Sequence, residues 1–297
     1  MEFELLQKEI HELARTNQAS LAETRLLEAK QFFQGKAQGR WYTLYAQVIR
    51  RTQPENREIF TDACVQASRL LQMDHAALCE LYLVQMAAAM SWGDWTTARV
   101  YVRRTRAFFR RYPSNYDIQR FQCMVLFNEG IIEVTTGNFP RAISLSLQGL
   151  EAMDRYYHPS DEQGRQRALT VSLHVIADSY LRLGQHGKAI EYLSRIDPAV
   201  MPKYEYSKHC YLQSRYWLAL GVLTRAEEWF GRIDDPKRWE PDWPAWLLEL
   251  EAGIAKAKGD RNGARQLFQQ AIELTGQTGS QSLMLLLRHQ LKSLEEA

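Results

Sequence analysis

Five times along the chain a glycine is followed five residues later by an alanine. The pairs are Gly93 and Ala98, Gly137 and Ala142, Gly184 and Ala189, Gly221 and Ala226, and Gly259 and Ala264. The glycines are 44, 47, 37 and 38 residues apart. A helix can end on a glycine that adopts the left-handed conformation of a C-terminal cap. A short turn then starts a second helix, and the alanine falls in that helix's first turns, where only a small side chain lets two helices approach closely. Four residues after each alanine stand Val102, Ser146, Leu193, Phe230 and Phe268, apolar in four cases out of five, with Ser146 the exception. A helix pair of this kind cannot bury its apolar face alone, so successive pairs must stack to make a core.

Composition agrees with that architecture. The chain has 297 residues, 45% hydrophobic and 24% charged, which is ordinary for a folded protein and long for one compact core. The net charge of +2 gives a weak overall field, so nucleic acid is not expected as a partner. Cys64, Cys79, Cys123 and Cys210 lie far apart and form no CxxC, which reads as small buried hydrophobes in a reducing compartment. The N-terminus has no signal-peptide core and no run is apolar enough to span a bilayer, so a cytoplasmic protein without membrane contact is expected.

The pattern resembles the tetratricopeptide repeat family. The unit from Thr170 to Pro198 carries Leu173, Ala177, Tyr180, Gly184, Ala189, Leu193 and Pro198 at the family's marked positions. The unit from Trp246 to Leu274 matches at Leu248, Ala252, Gly259, Asp260, Ala264, Phe268 and Ala271. The resemblance covers roughly Ala76 to Gly276. Glu133 departs from it by standing where the family prefers an aromatic, and two of the spacings exceed the family period. The resemblance implies an all-α, right-handed superhelical solenoid of antiparallel helix pairs. The expected organisation is an N-terminal helical segment over 1–36, a repeat array of about five to six helix pairs over 37–279, and a C-terminal capping helix over 280–297.

No HExxH, GxSxG, Walker or GxGxxG motif occurs, and the seven histidines show no ligand spacing, so neither an enzyme nor a cofactor or metal is expected. The resemblance instead implies a protein- or peptide-binding module with a concave groove lined by the first helix of each pair. On the family's positions that groove would present Phe127 and Ile131, then His174, Asp178 and Arg182, then Lys208, Tyr211 and Arg215. Residues 174, 178 and 182 share one helix face and read equally as a local charge ladder. Phe127 reads equally as core. The Lys–Asn carboxylate clamp of the family's chaperone-binding members is absent, because His174, Asp178, Tyr211 and Arg215 hold the matching places.

Two further surfaces stand out. Arg103, Arg106 and Arg110 gather on one side of a helix over 101–112, either as a docking face or as a solvated one. Trp239 and Trp243 lie in a Pro-punctuated segment, as interface anchors or as packing between repeats. A narrower resemblance, carried by the chain's size and its distinct N-terminal helices, is to bacterial peptide-pheromone receptors of the Rap and Rgg kind. Residues 1–72 show no helix-turn-helix, however, and Asn128 is the only mid-helix asparagine of the repeat region. A structural scaffold or oligomerisation platform, including a homodimer, is the remaining alternative.

Overall fold

All five repeat glycines take a left-handed backbone, with φ of 71° at Gly93, 83° at Gly137, 71° at Gly184, 73° at Gly221 and 85° at Gly259. After four of them the next N–H reaches back five residues. Asn138 N donates to Glu133 O at 2.7 Å, Gln185 N to Tyr180 O at 2.9 Å, Val222 N to Trp217 O at 2.9 Å and Asp260 N to Ala255 O at 3.0 Å. This is the Schellman closure, which satisfies carbonyls that a helix end leaves open. The five alanines that follow are all fully buried.

The computed structural model describes residues 2–15, 18–156, 162–199, 201, 203–234, 241–278 and 280–296. Among these residues the fold is all-α, with no strand. The chain forms two compact units, one from residues 1–89 and 96–121, the other from 90–95 and 122–297.

The first unit contains α1 (Phe3–Arg15), α2 (Ala19–Ala29), α3 (Gly35–Thr52), α4 (Arg57–Leu70), most of α5 (His75–Ser91) and α6 (Trp95–Arg111), and α7 (Tyr116–Gln119). Leu6 and Ile10 of α1, Leu26 of α2 and Trp41 and Leu44 of α3 form one cluster. The Trp41 indole satisfies its buried donor on Leu26 O at 2.9 Å. Asn56 caps α4 by accepting from Ile59 N at 3.3 Å. Tyr82 of α5 stacks near Tyr101 and Phe108 of α6, with centroids 6.0 and 5.9 Å away.

The second unit contains four helix pairs: α8 (Gln122–Thr135) with α9 (Phe139–Tyr156), α10 (Glu162–Arg182) with α11 (His186–Leu193), α12 (Lys203–Ala219) with α13 (Leu223–Phe230), and α14 (Trp243–Ala257) with α15 (Arg261–Thr278). The first helix of each pair also packs on the first helix of the next, α8 on α10, α10 on α12 and α12 on α14. A final helix, α16 (Gln281–Glu296), lies on α15 and buries Leu283, Leu287 and Leu294 while Arg288, Lys292, Glu295 and Glu296 face solvent.

Both departures from the repeat pattern have a packing reason. Ser146 is fully buried opposite Gly130, where a Cβ would meet its Oγ at 2.8 Å, so two small residues replace a large one. Glu133 is buried but accepts from Asn138 Nδ2 at 3.0 Å and lies 3.7 Å from Arg141 Nε. Phe127 inserts its ring over Gly149, where a Cβ would fall 2.3 Å from the ring.

Candidate functional site

Counting back from each of the last four repeat glycines aligns the first helices of the second unit. Ten residues before stand Phe127, His174, Tyr211 and Glu249; six before stand Ile131, Asp178, Arg215 and Gly253. Because α10, α12 and α14 pack side by side, these positions form two rows across neighbouring repeats. The rows converge on a buried network of charges.

The Asp178 carboxylate is 1% exposed. It accepts from Arg182 Nε at 3.4 Å and from Lys208 Nζ at 3.3 Å. The Tyr211 hydroxyl lies between two guanidiniums, accepting from Arg182 Nη2 at 3.4 Å and Arg215 Nη1 at 2.8 Å. Glu249 of α14 sits 3.7 Å from Arg182 and 3.6 Å from Arg215 through Oε2, while its Oε1 accepts from Gln290 of α16 at 3.3 Å. The Lys208 ammonium lies over the Trp246, Tyr211 and Trp243 rings at 4.1, 5.1 and 5.8 Å.

Burial alone would raise the carboxylate pKa values, but the cations overcome it. Burial pushes Asp178 up, yet Lys208, Arg182 and Arg215 bring it down to about 2. Glu249 is likewise pushed up by burial and held below its ordinary value by Arg215 and Arg182. Burial drives the Tyr211 phenol up to about 12, so it stays a neutral bridge. Burial works against the Arg215 charge, but Glu249 and Tyr211 more than offset it and raise its pKa. Asp178, Glu249 and Arg215 are therefore each held in the charged form by neighbours of opposite sign.

His174 lies outside these contacts. It is 2% exposed, with Nδ1 3.4 Å from Glu205 Oε2 and its ring 5.7 Å from His209. His209 meets Gln213 Nε2 at 3.3 Å and the edge of Trp229 at 5.8 Å. Burial, then the neighbouring His174, lowers the His209 pKa to about 4.

The structure thus brings together Asp178, Arg182, Lys208, Tyr211 and Arg215, and puts His174 in an adjoining polar group. Asp178 and Arg182 do form an i, i+4 pair, but one buried and shared with the next two repeats. Phe127 is 2% exposed and belongs to the core of the α8–α9 pair, where Gly149 makes room for it. Ile131 is half-buried on α8. Trp243 is fully buried, edge-on to Tyr211 at 5.4 Å, which assigns it to packing rather than to a surface. Trp239 lies outside the described residues. Arg103 and Arg110 are exposed and Arg106 half-buried on the outer side of α6.

Trp246, at the start of the last matched unit, completes the network together with Glu249 and Gln290, which no local sequence signal marks. Extending the glycine register to the last repeat would have found Glu249. Among the described residues no group of three or more His, Cys, Asp or Glu is placed to hold a metal ion.

No family model matches the sequence, and no curated protein matches it. Solved structures do. A tetratricopeptide repeat protein from Parabacteroides merdae ATCC 43184 superposes with a TM-score of 0.52 at 13% identity, over 96% of this chain and 98% of that one. A Rap protein complexed with Competence and Sporulation Factor gives 0.53 at 11% identity, over 99% and 97%. A phAimR–ligand structure gives 0.50 at 12% identity, over 98% and 88%. At such identities the likeness is one of fold: this chain is an all-α helical repeat protein similar to tetratricopeptide proteins.

Proposed function

We propose that this chain is a peptide-binding regulatory module that receives its ligand on the first helices of its later repeats. The observation that carries this reading is the locked polar wall across α10, α12 and α14. Its charges are pre-positioned by mutual pairing, so little side-chain freedom is lost when a ligand arrives. An extended peptide offers backbone groups for the fixed guanidiniums and side chains for the apolar surface beside them.

Two proteins of similar fold give this reading its support. The Rap protein was solved with Competence and Sporulation Factor, and phAimR with a ligand. A receptor of the Rap kind, in which ligand binding on the repeats changes an output made by the N-terminal helices, follows as the finer form of the proposal. Four buried cysteines suit work in a reducing compartment such as the cytoplasm.

A displayed library of random short peptides, selected on the full chain, tests the proposal. Arg215→Lys keeps the positive charge beside Glu249 but removes the planar fork. The expected result is an enriched peptide family whose affinity falls about tenfold on that substitution, a difference of about 1.4 kcal/mol. A library that enriches nothing, or peptides indifferent to Arg215→Lys in a chain with unchanged circular dichroism, would overturn it.

A further inference from the structure

Between α12, α14, α15 and α16 lies a cavity of about 210 Å3 with walls of two kinds. Leu218, Leu250 and Phe268 make it apolar on one side; Arg215, Glu249 and Gln290 make it polar on the other. Ala219 and Lys256, both exposed, place its rim at solvent.

The polar groups hold hydrogen-bonding capacity that the protein does not use. A guanidinium has five N–H donors. Among the described residues the Arg215 fork makes one hydrogen bond, to Tyr211 Oη at 2.8 Å, although the side chain is only 17% exposed. Glu249 is 5% exposed, and its Oε2, ion-paired at 3.6 Å or more, accepts no hydrogen bond among the described residues. Gln290 Oε1 is buried and among the described residues accepts none either. The spare Arg215 donors, beside Glu249 and Gln290 oxygens that accept no hydrogen bond among the described residues, match a neutral peptide group, which carries one C=O and one N–H. With Arg215 and Glu249 paired 3.6 Å apart, the polar wall offers no net charge to compensate a buried ion, which favours a neutral group.

Size narrows the occupant further. The cavity is below the roughly 300–1,000 Å3 of sites that enclose whole small molecules, and suits one residue. Gly253 shapes it. This glycine sits inside α14, where it costs about 1 kcal/mol relative to alanine. A Cβ there would meet Leu218 Cδ2 at 2.9 Å and displace the cavity's apolar wall.

We infer that this cavity seats one aliphatic residue of a bound peptide, its side chain between Leu218, Leu250 and Phe268 and its peptide group on Arg215 and Glu249. The inference rests on the peptide-binding reading and specifies the residue class that it recognises.

The probe is N-acetyl-leucinamide, a single blocked residue, titrated into the full chain with methyl NMR of its leucines. Saturable shifts at Leu218 and Leu250 are expected, with half-saturation on the order of 1–10 mM for so small a ligand. N-acetyl-alaninamide should bind at least about tenfold more weakly, having lost most of the apolar contact. Gly253→Ala should weaken the leucine probe about tenfold while leaving the chain folded, since alanine favours the helix. No saturable shift, equal binding of the alanine probe, or indifference to Gly253→Ala overturns the pocket. Library peptides that bind Gly253→Ala unchanged also overturn it but leave peptide binding standing. A library that enriches nothing removes the peptide reading itself.

Discussion

Arg103 and Arg110 on α6 stand in solvent, whereas Arg182 on α10 and Arg215 on α12 have side chains only 8% and 17% exposed, Arg182 against Asp178, Tyr211 and Glu249 and Arg215 against Tyr211 and Glu249. The α6 arginines are dense in sequence and share one face. Water screens them, and contacts such as Arg104 over Tyr82 at 5.8 Å contribute little at a surface. The two inner arginines are isolated in sequence. Their importance comes from register, which sets them against Asp178, Tyr211 and Glu249 where the effective dielectric is low. Local charge density thus says less about structural consequence than position relative to the repeat glycine.

That contrast yields measurable differences. Glu249→Ala leaves Arg182 and Arg215 without their shared carboxylate in a buried place. It should cost about 3–5 kcal/mol in urea unfolding, and a loss under about 1 kcal/mol would show that the buried pairs are energetically idle.

Acid should act in two stages. His209 has a folded pKa of about 4, below the ordinary 6.5, so folding favours its neutral form. Its contribution is complete above about pH 6.5 and drains away towards pH 4, up to about 3 kcal/mol in all. Asp178, at about 2, and the lowered Glu249 contribute above their unfolded values near pH 4 and lose that contribution as pH falls towards 2. Stability measured against pH should therefore decline twice, and His209→Phe should flatten only the upper stage. A single decline below pH 4 would remove His209 from the account.

Gly184→Ala isolates the turn. A Cβ at Gly184 meets nothing within 4 Å, so the cost of about 1–2 kcal/mol comes from the left-handed backbone alone, at φ 71°. A melting temperature equal to that of the parent chain would contradict this. The smallest effect belongs to the outer arginines: Arg103→Ser with Arg110→Ser should change stability by about 0.5 kcal/mol or less.

The repeat was legible because backbone conformation and helix approach each demand one residue type at one place. Only glycine takes φ near +70° to +85° without strain, and only a small side chain fits where Ala98, Ala142, Ala189, Ala226 and Ala264 are fully buried. The site was legible in part. Family positions pointed to Asp178, Arg182, Lys208, Tyr211 and Arg215 but gave no sign of their burial, because burial depends on how closely α10, α12 and α14 pack. Trp243 reads from sequence either as an interface anchor or as packing, because prolines surround it. The structure decides for packing: Asp242 and Pro244 begin α14 around it, and the indole turns inward on Tyr211. Phe127 showed the same limit: nothing local says that Gly149 opens a space for its ring.

Hydrogen–deuterium exchange on the full chain, with and without a library-selected peptide, tests the central claim that the inner wall and not the outer arginines receives the ligand. The account predicts added protection within Tyr211–Ala219 of α12 and Glu249–Ala257 of α14, with Trp95–Arg111 of α6 unchanged. Protection confined to α6 would contradict it.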